Sequence, residues 1–262
     1  MYSSRNQERI IVTGASGALG GALARLLARP GVELSLWGRD AARLDVVAGQ
    51  VRAAGAEAST RRLDLTDGPG AVDAVLADDA AAPFAQSYLV AGLGDVRAPG
   101  DVVEDPALVL RLAQVNFAAP AAMAAALAGR MAARGHGRII LIGSAAGHHA
   151  LPFAAAYSGS KAGLARFADA LRIAVKPHGV TVTLAAPGFL DAPGGRGTPG
   201  GQRLLLSSEE AARRIVRAAR AGKAHYVTPW PFAALHLVDA LLPRALRDRV
   251  LAALPLPDAE GG

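Results

Sequence analysis

The run Arg9-Ile10-Ile11-Val12-Thr13 passes directly into Gly14-Ala15-Ser16-Gly17-Ala18-Leu19-Gly20-Gly21. An apolar strand that ends in glycine and restarts as an amphipathic helix has few ways to fold. The strand must lie inside a sheet, the chain must reverse in a tight turn, and the helix must cover the sheet's face. Leu19, Leu23, Leu26 and Leu27 supply the apolar stripe of that helix, and Arg29-Pro30-Gly31 closes it. Parallel strands need such crossovers, so the unit predicts a parallel sheet.

The same alternation continues along the chain. Residues 32–37 read as a second strand, and Asp40 as the N-cap of a helix through about Ala54. Residues 57–63 and 86–91 read as the third and fourth strands. A long helix is predicted over Pro106–Arg134 with a kink at Pro120. Residues 138–143 form the fifth strand. Another long helix runs from about Ala154 to Pro177-His178-Gly179, and the sixth strand, 180–185, leads into Pro187-Gly188. Strands and helices in this order imply an α/β fold, a doubly wound parallel sheet with helices on both faces. No repeat or linker divides residues 1–262, so one domain is expected. Residues 191–202 hold five glycines in twelve positions. A loop of that composition after a strand's carboxyl end reads as part of a mobile substrate lid over about 189–206.

Composition removes several function classes. Hydrophobic residues make up 52% and charged residues 19%, which argues against disorder. There is no cysteine, hence no disulfide, no thiolate nucleophile and no cysteine-ligated metal. The histidines show no ligand spacing, so no metal is expected. The net charge of +6 comes from scattered arginines rather than a clustered face, which favours a small anionic ligand over nucleic acid. The first ten residues lack the apolar core of a secretory signal. The apolar stretch 117–128 is too short to span a bilayer, and 229–243 carries His236 and Asp239, so a soluble cytoplasmic protein is expected.

Three constellations carry chemistry. Gly14, Gly17 and Gly20 permit a tight turn and close approach of a pyrophosphate to the start of a helix. About twenty positions later, where an acidic residue would accept from an NAD ribose hydroxyl, the second strand ends in Arg39, which suits a 2′-phosphate. Tyr157 and Lys161 are one helical turn apart, so an ammonium can stand beside the phenol and draw its pKa toward neutrality. Ser144, at the end of the fifth strand, can donate to a substrate carbonyl oxygen. His148 and His149 follow it and read either as substrate-facing groups or as residues of a solvated loop.

Together these residues resemble the short-chain dehydrogenases/reductases from the glycine loop through Pro187-Gly188. The resemblance implies a Rossmann-type fold and a catalytic set of Ser144, Tyr157, Lys161 and Asn116, the last holding a water in a proton relay to the lysine. It places cofactor contacts at Gly14, Ser16, Gly17, Leu19, Gly20, Arg39, Asp64, Leu65, Ala91, Gly92, Tyr157, Lys161, Pro187 and Gly188. The implied activity is NADPH/NADP-dependent interconversion of a carbonyl and an alcohol on a hydrophobic or bulky small molecule. An epimerase or dehydratase using the cofactor transiently, or a dinucleotide-binding regulator, are the alternatives. A homodimer or homotetramer is implied through the two long helices, whose alanines (Ala118, Ala121, Ala125; Ala162, Ala165, Ala168) allow close packing. Three departures stand out. The loop reads T-G-x-x-G-x-x-G, Leu89-Val90-Ala91-Gly92 lacks the family's two asparagines, and Ala192 replaces the usual threonine. The segment 231–254 carries an apolar stripe that fits packing over the active site or against a subunit, with a membrane surface as the alternative.

Overall fold

The computed structural model describes residues 7–94, 96–98, 100–188, 190, 205–228 and 243–253. Its strands are β1 (Glu8–Thr13), β2 (Val32–Gly38), β3 (Glu57–Arg62), β4 (Gln86–Leu89), β5 (Gly137–Ile142), β6 (Val180–Pro187) and β7 (His225–Thr228). They form one seven-stranded sheet in the order β3-β2-β1-β4-β5-β6-β7, with every pairing parallel. This is the doubly wound Rossmann-type arrangement expected. The order reverses between β1 and β4, so a crevice opens at their carboxyl ends, the place where such sheets bind ligands.

The helices are α1 (Ala18–Leu27), α2 (Ala41–Ala53), α3 (Gly68–Ala81), α4 (Pro106–Ala113), α5 (Ala119–Arg134), α6 (Ala155–Val175), α7 (Ser208–Arg220) and α8 (Arg244–Ala252). One apolar layer joins α1, α2 and α7 to the sheet through Leu23, Leu34, Leu44 and Ile215. The other joins α3, α5 and α6 through Val75, Leu127, Ile139 and Leu164. Asp40 caps α2 as expected, accepting from the Arg43 N–H at 3.0 Å. A buried carboxylate ties the second layer together. Asp79 accepts from the Phe84 N–H at 2.9 Å and from Arg134 at 2.7 and 3.1 Å, linking the ends of α3 and α5.

Several expectations need correction. Leu26 is 41% exposed and does not join the α1 stripe. Strand β4 stops at Leu89, two residues early, where the chain turns toward the crevice. The kink in the long helix is a π turn at Gln114–Ala118, with Pro120 in the first turn of α5. Proline has no N–H to give the carbonyl four residues back, and its ring crowds that oxygen, here Asn116. The wider turn relieves the crowding, and Ala119 donates to Gln114 five residues back instead. The whole segment Pro106–Arg134 is long and apolar enough to cross a membrane, contrary to the shorter stretch read from sequence, but 44% of its most apolar window is buried within the fold.

Of the alanines expected on helix interfaces, Ala121 and Ala168 are buried in the core. The exposed face of the π turn and α5 is instead Ala118, Ala122, Ala125 and Gly129, and that of α6 includes Gly159, Ala162, Ala170 and Ile173. The lid expected over 189–206 lies outside the described residues except for its ends, where Leu190 pairs with Leu206 in a single parallel bridge. Only α8 of the C-terminal segment 231–254, with its two flanking residues, is described. Ala192 also lies outside the described residues.

Candidate active site

The site is built on close backbone approaches. Gly14 has φ +66°, a left-handed conformation, and a Cβ there would stand 2.8 Å from the Cα of Ala91. A Cβ on Gly20 would overlap the Gly14 carbonyl oxygen, and one on Gly17 would approach it to 3.2 Å. The Gly17 N–H donates to the Gly14 carbonyl at 2.9 Å, and α1 starts with no side-chain cap on its free N–H groups. Gly14 and Gly20 leave no room for a side chain in this cradle, and the uncapped N–H groups at a helix's positive end suit a pyrophosphate. The residues present therefore fit a dinucleotide.

Around the cradle, Ser16 lies against the end of β2, where a Cβ on Gly38 would come within 2.7 Å of its Oγ. Arg39 follows Gly38 directly and is exposed. Asp64 accepts from the Thr66 N–H at 3.0 Å, and that bond, with help from Arg39 and Arg111 nearby, holds its carboxyl below the usual range. Leu19 and Leu65 point their side chains into the core, so each has only its backbone to offer a ligand.

Thr13 was not singled out by the sequence. It is 3% exposed, and its Oγ1 accepts from the N–H groups of Val90 and Ala91 at 3.0 and 3.2 Å. These bonds supply the polar ties between β1 and β4 that Leu89-Val90 in place of asparagines would lose. The available signal was a polar residue ending a buried strand, which must find a partner.

Asn116 is fully buried in the π turn. Its Oδ1 accepts from the Leu93 N–H at 2.7 Å, and its Nδ2 donates to the Leu93 carbonyl at 2.9 Å. The side chain therefore clamps the segment after β4 rather than standing free for a water relay. Nδ2 also reaches the Ser160 Oγ at 3.3 Å, and Ser160 donates to the Tyr157 carbonyl at 2.8 Å. Ser160, also missed by sequence reasoning, thus ties the clamp to α6. A Cβ on Gly92 would lie 3.1 Å from Asn116 Oδ1 and 3.2 Å from Lys161 Nζ, so these groups converge on one backbone position.

Lys161 is buried, and its Nζ donates to the Ile142 carbonyl at 3.0 Å. Burial lowers its pKa to about 8. Its Nζ stands 6.0 Å from the centre of the Tyr157 ring. The Tyr157 phenol is pushed up by burial, a hydrogen bond with Ser144 opposing. This reverses the expected direction. The ammonium is turned to a carbonyl, so desolvation decides and the phenol stays protonated at neutral pH. Ser144 is placed by the Ala146 N–H, which donates to its Oγ at 3.1 Å as a 3-10 turn begins. His148 closes that turn and His149 follows it, both partly buried and both engaged. Pro187 ends β6, and the Gly188 N–H donates to the Thr228 carbonyl at 2.7 Å.

The sequence profile of the short chain dehydrogenases matches residues 8–198. The chain belongs to that family. An uncharacterized oxidoreductase of Myxococcus xanthus is 30% identical to this short-chain dehydrogenase, covering 91% of this chain and 94% of its own. Cis-4-hydroxycyclohexanecarboxylate dehydrogenase of Sinomonas cyclohexanicum is 31% identical, over 80% of this chain and 84% of its own. Among solved structures, a short-chain dehydrogenase from Sphingobium yanoikuyae in complex with NADPH superposes with TM-score 0.78 at 25% identity, covering 96% and 98% of the two chains. The family is one of oxidoreductases that bind a nicotinamide dinucleotide. Among the described residues no group of three acidic or histidine side chains could hold a metal.

The buried lysine gives a pH-dependent prediction. Its pKa falls from 10.5 to about 8 on folding. Between those values the unfolded chain holds a proton that the folded chain has lost, so stability rises with pH across that window. Below pH 8 the full cost of the buried ammonium is present, of order 3 kcal/mol. Lys161→Met is therefore expected to be more stable than the wild type at pH 7, with the gap closing between pH 8 and 10. Urea unfolding as a function of pH checks this; a gap independent of pH contradicts it.

Proposed function

We propose that this short-chain dehydrogenase is an NADPH-dependent oxidoreductase. Its substrate is a ketone or aldehyde on a hydrophobic or bulky molecule, reduced to the alcohol, or the alcohol in reverse. The observation that carries the reading is the meeting of Ser144, Tyr157, Lys161 and the Asn116 clamp beside the glycine cradle. The dehydrogenase named from Sinomonas and the NADPH-bound Sphingobium structure support it.

The cofactor's contacts in this reading are Gly14, Ser16, Gly17, Leu19, Gly20, Arg39, Asp64, Leu65, Ala91, Gly92, Tyr157, Lys161, Pro187 and Gly188. The bound nicotinamide supplies or accepts the hydride. Tyr157, kept protonated by burial, gives the carbonyl oxygen its proton. Ser144 donates to the same oxygen and holds it in line. Lys161, beside Gly92, would hold the nicotinamide ribose and return a proton toward Tyr157. The Asn116 side chain fixes Leu93, and with it the approach of Gly92. Its backbone carbonyl, to which Pro120 has no N–H to give, would hold the relay water of this reading. Arg39 would hold the 2′-phosphate of NADPH, which an acid in its place would repel.

The exposed faces support a proposed assembly. Ala118, Ala122, Ala125 and Gly129 form a stripe of small residues, as do Gly159, Ala162 and Ala170 on α6. Leu110 on α4 and Ile173 on α6 are 72% and 65% exposed. Small residues beside uncovered aliphatics suit an isologous contact between helices. The proposed state is a homodimer or a homotetramer.

Tyr157→Phe removes the proton donor with little change in volume. NADPH affinity is expected to survive while turnover on a carbonyl panel drops by about two to four orders of magnitude. Near-normal turnover would remove Tyr157 from the mechanism. Arg39→Ala is expected to lower NADPH affinity about ten- to a hundred-fold and leave NADH binding unchanged. Equal affinity of the wild type for both cofactors would overturn the assigned preference. Light scattering at micromolar concentration is expected to show a dimer or tetramer; a monomer contradicts the assembly.

A further inference from the structure

We propose that Arg214 is a positioning residue for the Pro187-Gly188 turn, acting through Thr228. The proposal rests on the reading above only for what that turn holds, the nicotinamide end of the cofactor.

Helix α7 begins on Ser207, whose Oγ accepts from the Glu210 N–H at 3.1 Å. Glu210 is thereby fixed in the first turn, where its carboxylate takes Arg213 at 2.8 Å and the Nε of Arg214 at 2.6 Å. That contact leaves the far end of the Arg214 guanidinium free to reach off the helix. Its Nη1 donates to the Thr228 Oγ1 at 3.0 Å. Thr228 is 2% exposed, and a buried hydroxyl needs a partner.

Thr228 is the last residue of β7, a four-residue strand at the sheet's edge. Among the described residues it has one neighbouring strand to hold its carboxyl end, and terminal residues of such a strand are prone to fray. Thr228 pairs with Pro187, and its carbonyl accepts from the Gly188 N–H at 2.7 Å. One residue thus takes the arginine on its side chain and the turn on its backbone. Two residues on, Leu190 bridges to Leu206, immediately before the helix cap. The exit from β6, the end of β7 and the start of α7 therefore meet at one point. Arg214 is the charged group that ties them, and its forked head makes both bonds at once.

The experiment compares the wild type with Arg214→Met, which keeps the aliphatic stem and removes the fork, and with Thr228→Val, which removes the hydroxyl at similar volume. Two readouts are taken: exchange of the Gly188 amide hydrogen in the free protein, and NADPH affinity by titration calorimetry. Arg214→Met is expected to speed Gly188 exchange about tenfold and to weaken NADPH binding about tenfold, with kcat within about twofold. Thr228→Val reproduces both effects, and the double variant is no worse than either single one. Arg214→Lys, which cannot hold Glu210 and Thr228 together, recovers part of the loss. Unchanged Gly188 exchange, or losses that add in the double variant, overturns the proposal. Should Arg214→Met fail to fold, Thr228→Val decides alone: slower-than-expected or unchanged exchange at Gly188 counts against it. Altered exchange with no NADPH binding in the wild type upholds the positioning role and overturns the cofactor reading instead.

Discussion

A Cβ on Gly20 would occupy the space of the Gly14 carbonyl oxygen, and one on Gly14 would press into Ala91. These two approaches set the distance between the first helix, the first strand and the segment that leaves β4. Thr13 reinforces the second of them with two hydrogen bonds, and Asn116 fixes Leu93 two residues beyond Ala91. Lys161 and Asn116 then converge on Gly92. The crevice at the sheet's switch point is therefore a set of backbone-to-backbone contacts, held by three buried polar side chains. Each of those side chains has at least one hydrogen-bond partner, and such ties help a buried network specify one geometry.

The chemistry of the site comes from burial more than from paired charges. Tyr157 is raised because its anion would be desolvated, and Lys161 is lowered for the same reason. Moving in opposite directions, the two groups bring a neutral phenol and a lysine that can lose its proton near pH 8 onto one helix turn. This suits a proton donor with a nearby source for its replacement. The stability cost of a buried ammonium is the local expense of that arrangement, and the packed layers on both sheet faces offset it.

The sheet, the glycine loop, the cap at Asp40 and the spacing of Tyr157 and Lys161 were legible in the sequence because each is a local pattern. What escaped depends on partners distant in the chain. Thr13, Ser160 and Leu93 acquire roles only when β1, β4, the π turn and α6 are brought together. Helix α3 shows no apolar stripe and opens with Gly68-Pro69-Gly70, which reads as a turn until Asp67 caps it. Helix α7 buries Ala211, Ala212, Ala218 and Ala219, residues that mark a core face far less clearly than leucines do. The sequence points to a helix distortion at Pro120, but proline acts on the carbonyl four residues before it, so the π turn falls around Asn116. The direction of the Tyr157 shift depends on where the Lys161 ammonium points, which helical spacing alone does not determine.

In the proposed function, the groups around Gly92 and Tyr157 serve a net redox reaction, with a hydride delivered to carbon and a proton delivered to oxygen. Reduction of a ketone with NADPH carrying deuterium at both C4 positions of the nicotinamide, followed by mass spectrometry of the alcohol, tests this directly. One deuterium is expected on the carbinol carbon for each NADPH oxidised, and none at that carbon when unlabelled NADPH is used in D2O. Product with the carbinol carbon labelled from solvent, or turnover that leaves the NADPH concentration unchanged, would contradict it.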